Sequence, residues 1–114
     1  MIDVILVYAY ITKYTWSLAM NVSSFKRRAE IIKAMGHYAR LIIIDALLKK
    51  EQCVCELNDL LEIDQSTLSR HLTVLKNAGI IEDDKRGLKV FYKLKTPCVM
   101  KYIECIEGVI KSNK

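Results

Sequence analysis

Proline occurs once in this 114-residue chain and glycine four times. The glycines, at 36, 79, 87 and 108, stand far apart and form no phosphate-cradling loop. No Pro/Gly/Ser-rich linker, internal repeat or low-complexity tract divides the chain, and its length suits one domain with a modest core. Histidine is scarce: His37 and His71 are the only two, and no His-Glu-x-x-His pattern exists. No serine or cysteine stands in a recognisable catalytic setting, so the chain is not expected to be an enzyme and no obligatory cofactor is implied. A basic start and a small-residue cleavage site are both missing at the N-terminus, so no secretory signal is read there. The four cysteines, Cys53, Cys55, Cys98 and Cys105, are then expected in a reducing, cytoplasmic setting. There, close thiols serve soft-metal binding, redox chemistry or plain burial, not a disulfide framework.

One long apolar stretch is present, residues 1–20, MIDVILVYAYITKYTWSLAM, with three of the six tyrosines and the only tryptophan. Asp3, Thr12, Lys13 and Thr15 interrupt it, whereas a membrane span wants about 20 predominantly apolar residues, so no membrane partner is expected. This atypical leader reads either as an extension upstream of a true start at Met20 or as an extra helix on the domain or a dimer interface. Residues 21–114 are expected to form the domain itself.

Charge is plentiful and unevenly spread. Eighteen lysines and arginines oppose thirteen acids, for a formal net charge of +5 and an isoelectric point near 9.0. Such a balance favours anionic partners without identifying them. Between residues 65 and 95, however, Arg70, Lys76, Lys85, Arg86, Lys89, Lys93 and Lys95 face only Glu82, Asp83 and Asp84.

That basic region begins inside CVCELNDLLEIDQSTLSRHLTVLKNAG, residues 53–79, around which the chain is organised. It reads as a short helix from about Cys55 to Leu61, a corner at Ile63-Asp64, and a second helix from Gln65 to Asn77. Asp64 suits the N-cap and Gly79 a left-handed C-cap. Leu68, Leu72 and Leu75 make one apolar stripe. Ser66, Arg70, Thr73 and Asn77 lie opposite, with one cation, three neutral hydrogen-bonding groups and no carboxylate. A helix that enters the DNA major groove needs that composition, whereas a solvated helix mixes both signs. An ordinary helical hairpin in a bundle is the bland alternative. The residues expected at DNA are Gln65, Ser66, Thr67, Ser69, Arg70, Thr73 and Lys76. His71, at the edge of the apolar stripe, either reaches a phosphate or packs half-buried.

Upstream, Ser24 suits the cap of a helix over 24–35 with Phe25, Ala29 and Ile32 on one face. His37 reads as a cap or surface residue. Tyr38 to Lys49 carries LIIIDALL, apolar over most of its circumference, and is expected to be the central core helix. Downstream of Gly79 the period changes to two. Ile80-Ile81 starts a strand, the polar run Glu82 to Gly87 turns the chain, and Leu88 to Leu94 alternates with Val90, Tyr92 and Leu94 on one face. Lys85, Arg86 and Lys89 at the tip are expected to reach phosphates. A last helix, with Pro97 at its first position, runs to about Lys111 and bears two apolar stripes. Val99, Ile103, Ile106 and Ile110 form one; Cys98, Tyr102, Cys105 and Val109 form the other. One stripe suffices to dock, and the second implies a twin subunit, which operator symmetry also asks for. The fold expected is mainly α with a small β-hairpin wing (α+β), a winged helix-turn-helix. A winged helix that binds protein in place of nucleic acid is the rival class.

This order, with Cys53-Val54-Cys55 at the start of the first helix of the pair, resembles the ArsR/SmtB family of metal-sensing transcriptional repressors over roughly residues 25–111. The segments that carry the resemblance are IIKAMGHYARLIIIDALL, CVCELNDLL, QSTLSRHLTVLKNAGII and GLKVFYKL. His37 and Arg40 keep two residues of the family's AMGHYARL-like segment, but its proline is missing. The resemblance implies a homodimer that binds a palindromic double-stranded operator and is released by an inducer. Cys53 and Cys55 match the cysteine pair of arsenic-sensing members, while Asn58 stands where their third cysteine would be. The terminal-helix zinc site of other members is not matched.

Two thiolates rarely suffice for a soft ion: arsenite prefers three sulfurs and zinc four ligands. The remaining ligand is then Cys98 or Cys105 from either subunit, since those two lie about 10 Å apart along a straight helix. Such a site suits arsenite, antimonite or a soft divalent metal. Thiol-based redox or reactive-sulfur sensing is the alternative, and structural burial a third reading. Cys53 and Cys55 are read as too close in sequence to bridge comfortably, so a redox switch is expected to need a distant partner.

Overall fold

The computed structural model describes residues 4–9, 11 and 22–113. They belong to two compact units, residues 1–32 and 33–114. In the first unit residues 4–9 are helical, and Val4, Ile5, Leu6 and Tyr8 are exposed. Helix α1 (Val22–Met35) begins there. It starts two residues before the expected Ser24 cap, because Val22 and Ser23 carry nothing that breaks a helix. Arg28 lies over the Phe25 ring at 4.6 Å. No helix among the described residues is long and apolar enough to cross a membrane. The reading of Met20 as the true start lies outside the described residues.

The second unit contains α2 (Tyr38–Lys49), β1 (Gln52–Cys53), α3 (Val54–Leu61), α4 (Gln65–Asn77), β2 (Ile81–Arg86), β3 (Lys89–Leu94) and α5 (Val99–Ser112). It is the winged helix-turn-helix that the sequence implied. His37 caps α2, its Nδ1 accepting the Ala39 N–H at 3.0 Å. Ile43, Ile44 and Leu47 of α2 are buried with Leu57 of α3 and Leu68, Leu72 and Leu75 of α4. Full burial of each such side chain contributes about 1.5–3 kcal/mol. Tyr38 and Ile42 remain exposed, so α2 buries one broad face and not most of its circumference.

Helix α4 ends as expected. Gly79 takes φ +81°, the Ile80 N–H reaches the Leu75 carbonyl at 3.1 Å, and the Gly79 N–H reaches the Lys76 carbonyl at 3.0 Å. This is a Schellman motif, closed by the buried Leu75 and Ile80 side chains. The corner before α4 is sharper than expected. Glu62 takes the left-handed conformation, φ 52°, and its N–H bonds the Asn58 carbonyl at 3.0 Å.

The wing departs from expectation in two ways. Strand β1, only two residues long, was not foreseen; it pairs antiparallel with β3, Gln52 opposite Tyr92 and Cys53 opposite Phe91, giving the order β1-β3-β2. The polar run Glu82 to Arg86, read as a turn, is strand β2, and only Gly87-Leu88 turns the chain. Charged residues suit this strand because it is the sheet edge, where they oppose further strand pairing. Gly87, φ +62°, stands first in the two-residue turn, as a type II′ hairpin requires.

Helix α5 begins at Val99, two residues after the expected Pro97 start, because a run of tight bonds precedes it. These link the Val99 N–H to the Thr96 carbonyl (3.1 Å) and the Met100 N–H to the Pro97 carbonyl (3.2 Å). Of the stripe expected to dock, only Val99 and Ile103 pack on the core; Ile106 and Ile110 are exposed, as are Tyr102 and Val109.

Candidate nucleic-acid interface and its cysteine pair

The start of α4 is held by one carboxylate. Asp64 Oδ2 accepts the Thr67 N–H at 3.3 Å and the Ser66 hydroxyl, and its Oδ1 accepts the Thr67 hydroxyl at 2.7 Å. These donors, the Ser66 hydroxyl first and Thr67 next, hold its pKa down at about 2. Ser66 and Thr67, expected at DNA, therefore spend their hydroxyl protons on the cap. Gln65, Ser69, Arg70 and Thr73 are exposed along the helix beyond it. Thr73 returns its proton to the Ser69 carbonyl at 2.8 Å, leaving lone pairs to accept.

His71 resolves to the packed alternative. It is half-buried, the Arg40 guanidinium donates to its Nδ1 at 3.1 Å, and its ring lies 4.5 Å from that of His37. Burial, then the charges of His37, Arg40 and Arg70, push its pKa below the usual histidine value. Arg40 also donates to the Ala34 carbonyl, so one side chain ties the end of α1 to α4.

Ion pairing divides the seven basic residues of this region. Lys76 binds Asp83 at 3.0 Å and Lys93 binds Glu82 at 3.2 Å. Arg86 grips Glu51 with two bonds of 2.7 and 2.9 Å, holds Asp84 at 2.9 Å and lies over the Phe91 ring. Arg86 is therefore a strut that fastens the wing and not the free tip cation expected, because Glu51 comes within reach just before β1. Among the described residues, Arg70, Lys85, Lys89 and Lys95 have no ion-pair partner. The exposed tip itself is Gly87-Leu88, flanked by Lys85 and Lys89.

The cysteine pair sits behind this surface. Cys53 is the N-cap of α3: its Sγ accepts the Glu56 N–H at 3.3 Å, and Glu56 Oε1 accepts the Cys53 N–H at 3.2 Å. This capping box starts the helix at Val54, a residue earlier than expected. Cys53 and Cys55 form a disulfide, with Cα atoms 5.3 Å apart. That corrects the expectation that they would not bridge. Turning from strand into helix between them brings the two side chains together, which a count of residues does not reveal. Cys98, just before α5, and Cys105 on it are free and exposed, and the described residues bring no three potential ligands together. Beside the pair lies a pocket of about 430 Å³, walled by Cys55, Asn58 and Asp59 of α3, Gln65 of α4 and Leu88–Val90 of the wing.

Sequence reasoning missed Glu51, the Arg40–His71 contact and the Cys53 cap. The first two join residues more than 30 positions apart and leave no local signal. The third is visible as Cys-x-x-Glu, though cysteine is not among the usual capping residues.

A family model described as bacterial regulatory protein, arsR family, matches residues 38–83. An uncharacterised HTH-type transcriptional regulator of Methanocaldococcus jannaschii is 36% identical over 87 residues, 75% of this chain and 98% of that protein. An arsenic resistance transcriptional regulator of Pseudomonas putida is 42% identical over 65 residues, 56% of this chain and 50% of that protein. Reduced HlyU from Vibrio cholerae superposes with a TM-score of 0.68 at 35% identity, covering 81% of this chain and 96% of that one.

Proposed function

The chain belongs to the arsR family of bacterial regulatory proteins, DNA-binding transcriptional regulators, and from that premise we propose a homodimeric repressor whose operator affinity is set by the state of Cys53 and Cys55. One observation carries this reading: the pair shares a pocket with both DNA-reading elements, the first residue of α4 and the wing. A change at Cys55 is therefore felt at Gln65 and Lys89 without any long relay. Cys53 adds a mechanical link, because it is at once the cap of α3 and the β1 partner of Phe91. The dimer is supported by the unpacked apolar half of α5, whose Ile106, Val109 and Ile110 are exposed.

The bond between the two sulfurs favours the redox form of this control. In the dithiol state Cys53 offers a thiol or thiolate to the Glu56 N–H at a helix N-terminus, where negative charge is stabilised. Oxidation keeps the Glu56 N–H bond but leaves a neutral sulfur in place of a thiolate, which weakens the cap. A cap contributes about 1 kcal/mol. Two whole caps per dimer amount to about 2 kcal/mol, or about thirtyfold in affinity, and the bond retained on oxidation makes that the ceiling of the effect. The dithiol form is the tighter binder.

A soft-ion inducer is the second reading, supported by the identity with the P. putida arsenic resistance regulator. It requires reduced sulfurs and a third thiolate. Asn58 cannot supply one, so Cys98 or Cys105 of the second subunit would have to. Titrating the operator complex of reduced protein with arsenite, antimonite and cadmium, and separately with a dithiol oxidant, distinguishes the two. If neither treatment changes the affinity, thiol control is wrong in both forms.

A further inference from the structure

The pocket beside Cys55 is chemically lopsided. Cys53 is 3% exposed, whereas Cys55 is exposed on the first turn of α3. A nucleophile from solvent therefore reaches the disulfide at Cys55 Sγ. The pocket, about 430 Å³, falls within the range of small-ligand sites, about 300–1,000 Å³. Its wall carries one anion, Asp59, and one cation, Lys89, neither engaged in an ion pair among the described residues. It also carries Asn58, whose Oδ1 is buried with no hydrogen-bond partner among those residues. Anion and cation together match a ligand that bears an ammonium and a carboxylate.

Resting on the thiol-control reading, we infer that Cys55 is the attachment site of a low-molecular-weight thiol carrying an ammonium and a carboxylate, held in this pocket as a mixed disulfide. The step needs no added oxidant. The thiolate RS⁻ attacks Cys55 Sγ, a Cys55–SR bond forms and the Cys53–Cys55 bond breaks. The electron pair leaves on Cys53 Sγ, which takes up the proton that the attacking thiol released. The reverse step, attack by Cys53 on the adduct, expels RS⁻ and restores the disulfide. Reduced protein reaches the same adduct from the symmetrical disulfide RSSR, with release of one RSH. Lys89 pairs with the carboxylate and Asp59 with the ammonium.

The test uses the full chain carrying Cys53→Ser, which removes the resolving thiol and keeps an N-capping oxygen. Reduced protein is exposed to glutathione disulfide or to neutral 2-hydroxyethyl disulfide. Adduct formation is followed by mass spectrometry on the tryptic peptide of residues 51–70, which separates from those bearing Cys98 and Cys105. One glutathione on Cys55 is expected. The ratio of glutathione to hydroxyethyl rates should fall about tenfold when Lys89→Gln is added, the weight of one close charge pair in a partly solvated site. Taking the ratio cancels any effect of Lys89 on the intrinsic reactivity of Cys55. A Cys55 left unmodified while Cys98 and Cys105 react overturns the proposal, and so does a ratio indifferent to Lys89→Gln. Oxidised wild-type protein with reduced glutathione supplies a check free of substitutions, since an adduct found on Cys53 in place of Cys55 also overturns it. An adduct on Cys55 that leaves operator affinity unchanged supports this site and counts against thiol control alone.

Discussion

Salt provides the sharpest test of which cations meet DNA. Each protein cation that neutralises a phosphate contributes about −0.9 to the slope of log K against log salt. Lys76 is already paired with Asp83, Lys93 with Glu82, and Arg86 with Glu51 and Asp84. Lys95 lies at the open end of the hairpin, where its N–H bonds the Ile80 carbonyl, away from the tip. That leaves Arg70, Lys85 and Lys89 in each subunit. Six cations per dimer give a slope of about −5, and affinity should fall about a thousandfold between 50 and 200 mM salt. Had Lys76 and Arg86 also been free, ten cations would give about −9. Fluorescence anisotropy of a labelled operator across that range measures the slope directly. Lys89→Ala should flatten it by about 2, one cation in each subunit, whereas Arg86→Ala should leave it almost unchanged while loosening the wing. A slope near the steeper value, or equal flattening by both substitutions, would refute the division of these residues into free and committed.

Three further outcomes follow from packing and protonation. Leu68 is wholly buried where α4 meets the core, so Leu68→Ala should cost about 2–5 kcal/mol and lower Tm in a thermal melt; a shift of a degree or less would mean that α4 is not seated there. The Asp64 carboxyl is held down at about 2 from an ordinary 3.8, so its ionised form stabilises α4 fully above pH 3.8, and that contribution is lost as pH falls through about 2. Asp64→Ala should thus lower the melting temperature at neutral pH and flatten its decline across that acid window, as followed by circular dichroism. Val109 is 58% exposed on α5; Val109→Asp should leave the monomer folded yet reduce sedimentation to the monomer value, and an unchanged dimer would remove α5 from the interface.

The fold was legible because its helices carry their own punctuation. Asp64, Gly79 and the Leu68–Leu72–Leu75 stripe mark α4 at both ends and on its buried face, and each works locally. Elements that depend on distant partners were not legible. Strand β1 exists only because β3 lies beside Gln52 and Cys53, and no two-residue strand has a period to read. The charged strand β2 looks like a turn until its place at the sheet edge is known. The same distinction runs through the interface. Gln65, Ser69, Arg70, Thr73, Lys85 and Lys89 stand exposed as their residue types suggested. Arg86 and His71 were diverted by Glu51 and Arg40, residues remote in sequence. The Cys53–Cys55 bond depends on the change from strand to helix between them, which residue spacing alone does not encode.

The central claim is that Cys53 and Cys55 set operator affinity, and the measurement that reaches it most directly compares fully reduced and fully oxidised protein on the same operator by anisotropy. Wild-type protein should bind more tightly when reduced, by up to about thirtyfold. The Cys53→Ser/Cys55→Ser protein should bind equally in both treatments. Identical responses from wild type and double variant would contradict the account, because the sensing sulfurs would then lie elsewhere, at Cys98 or Cys105.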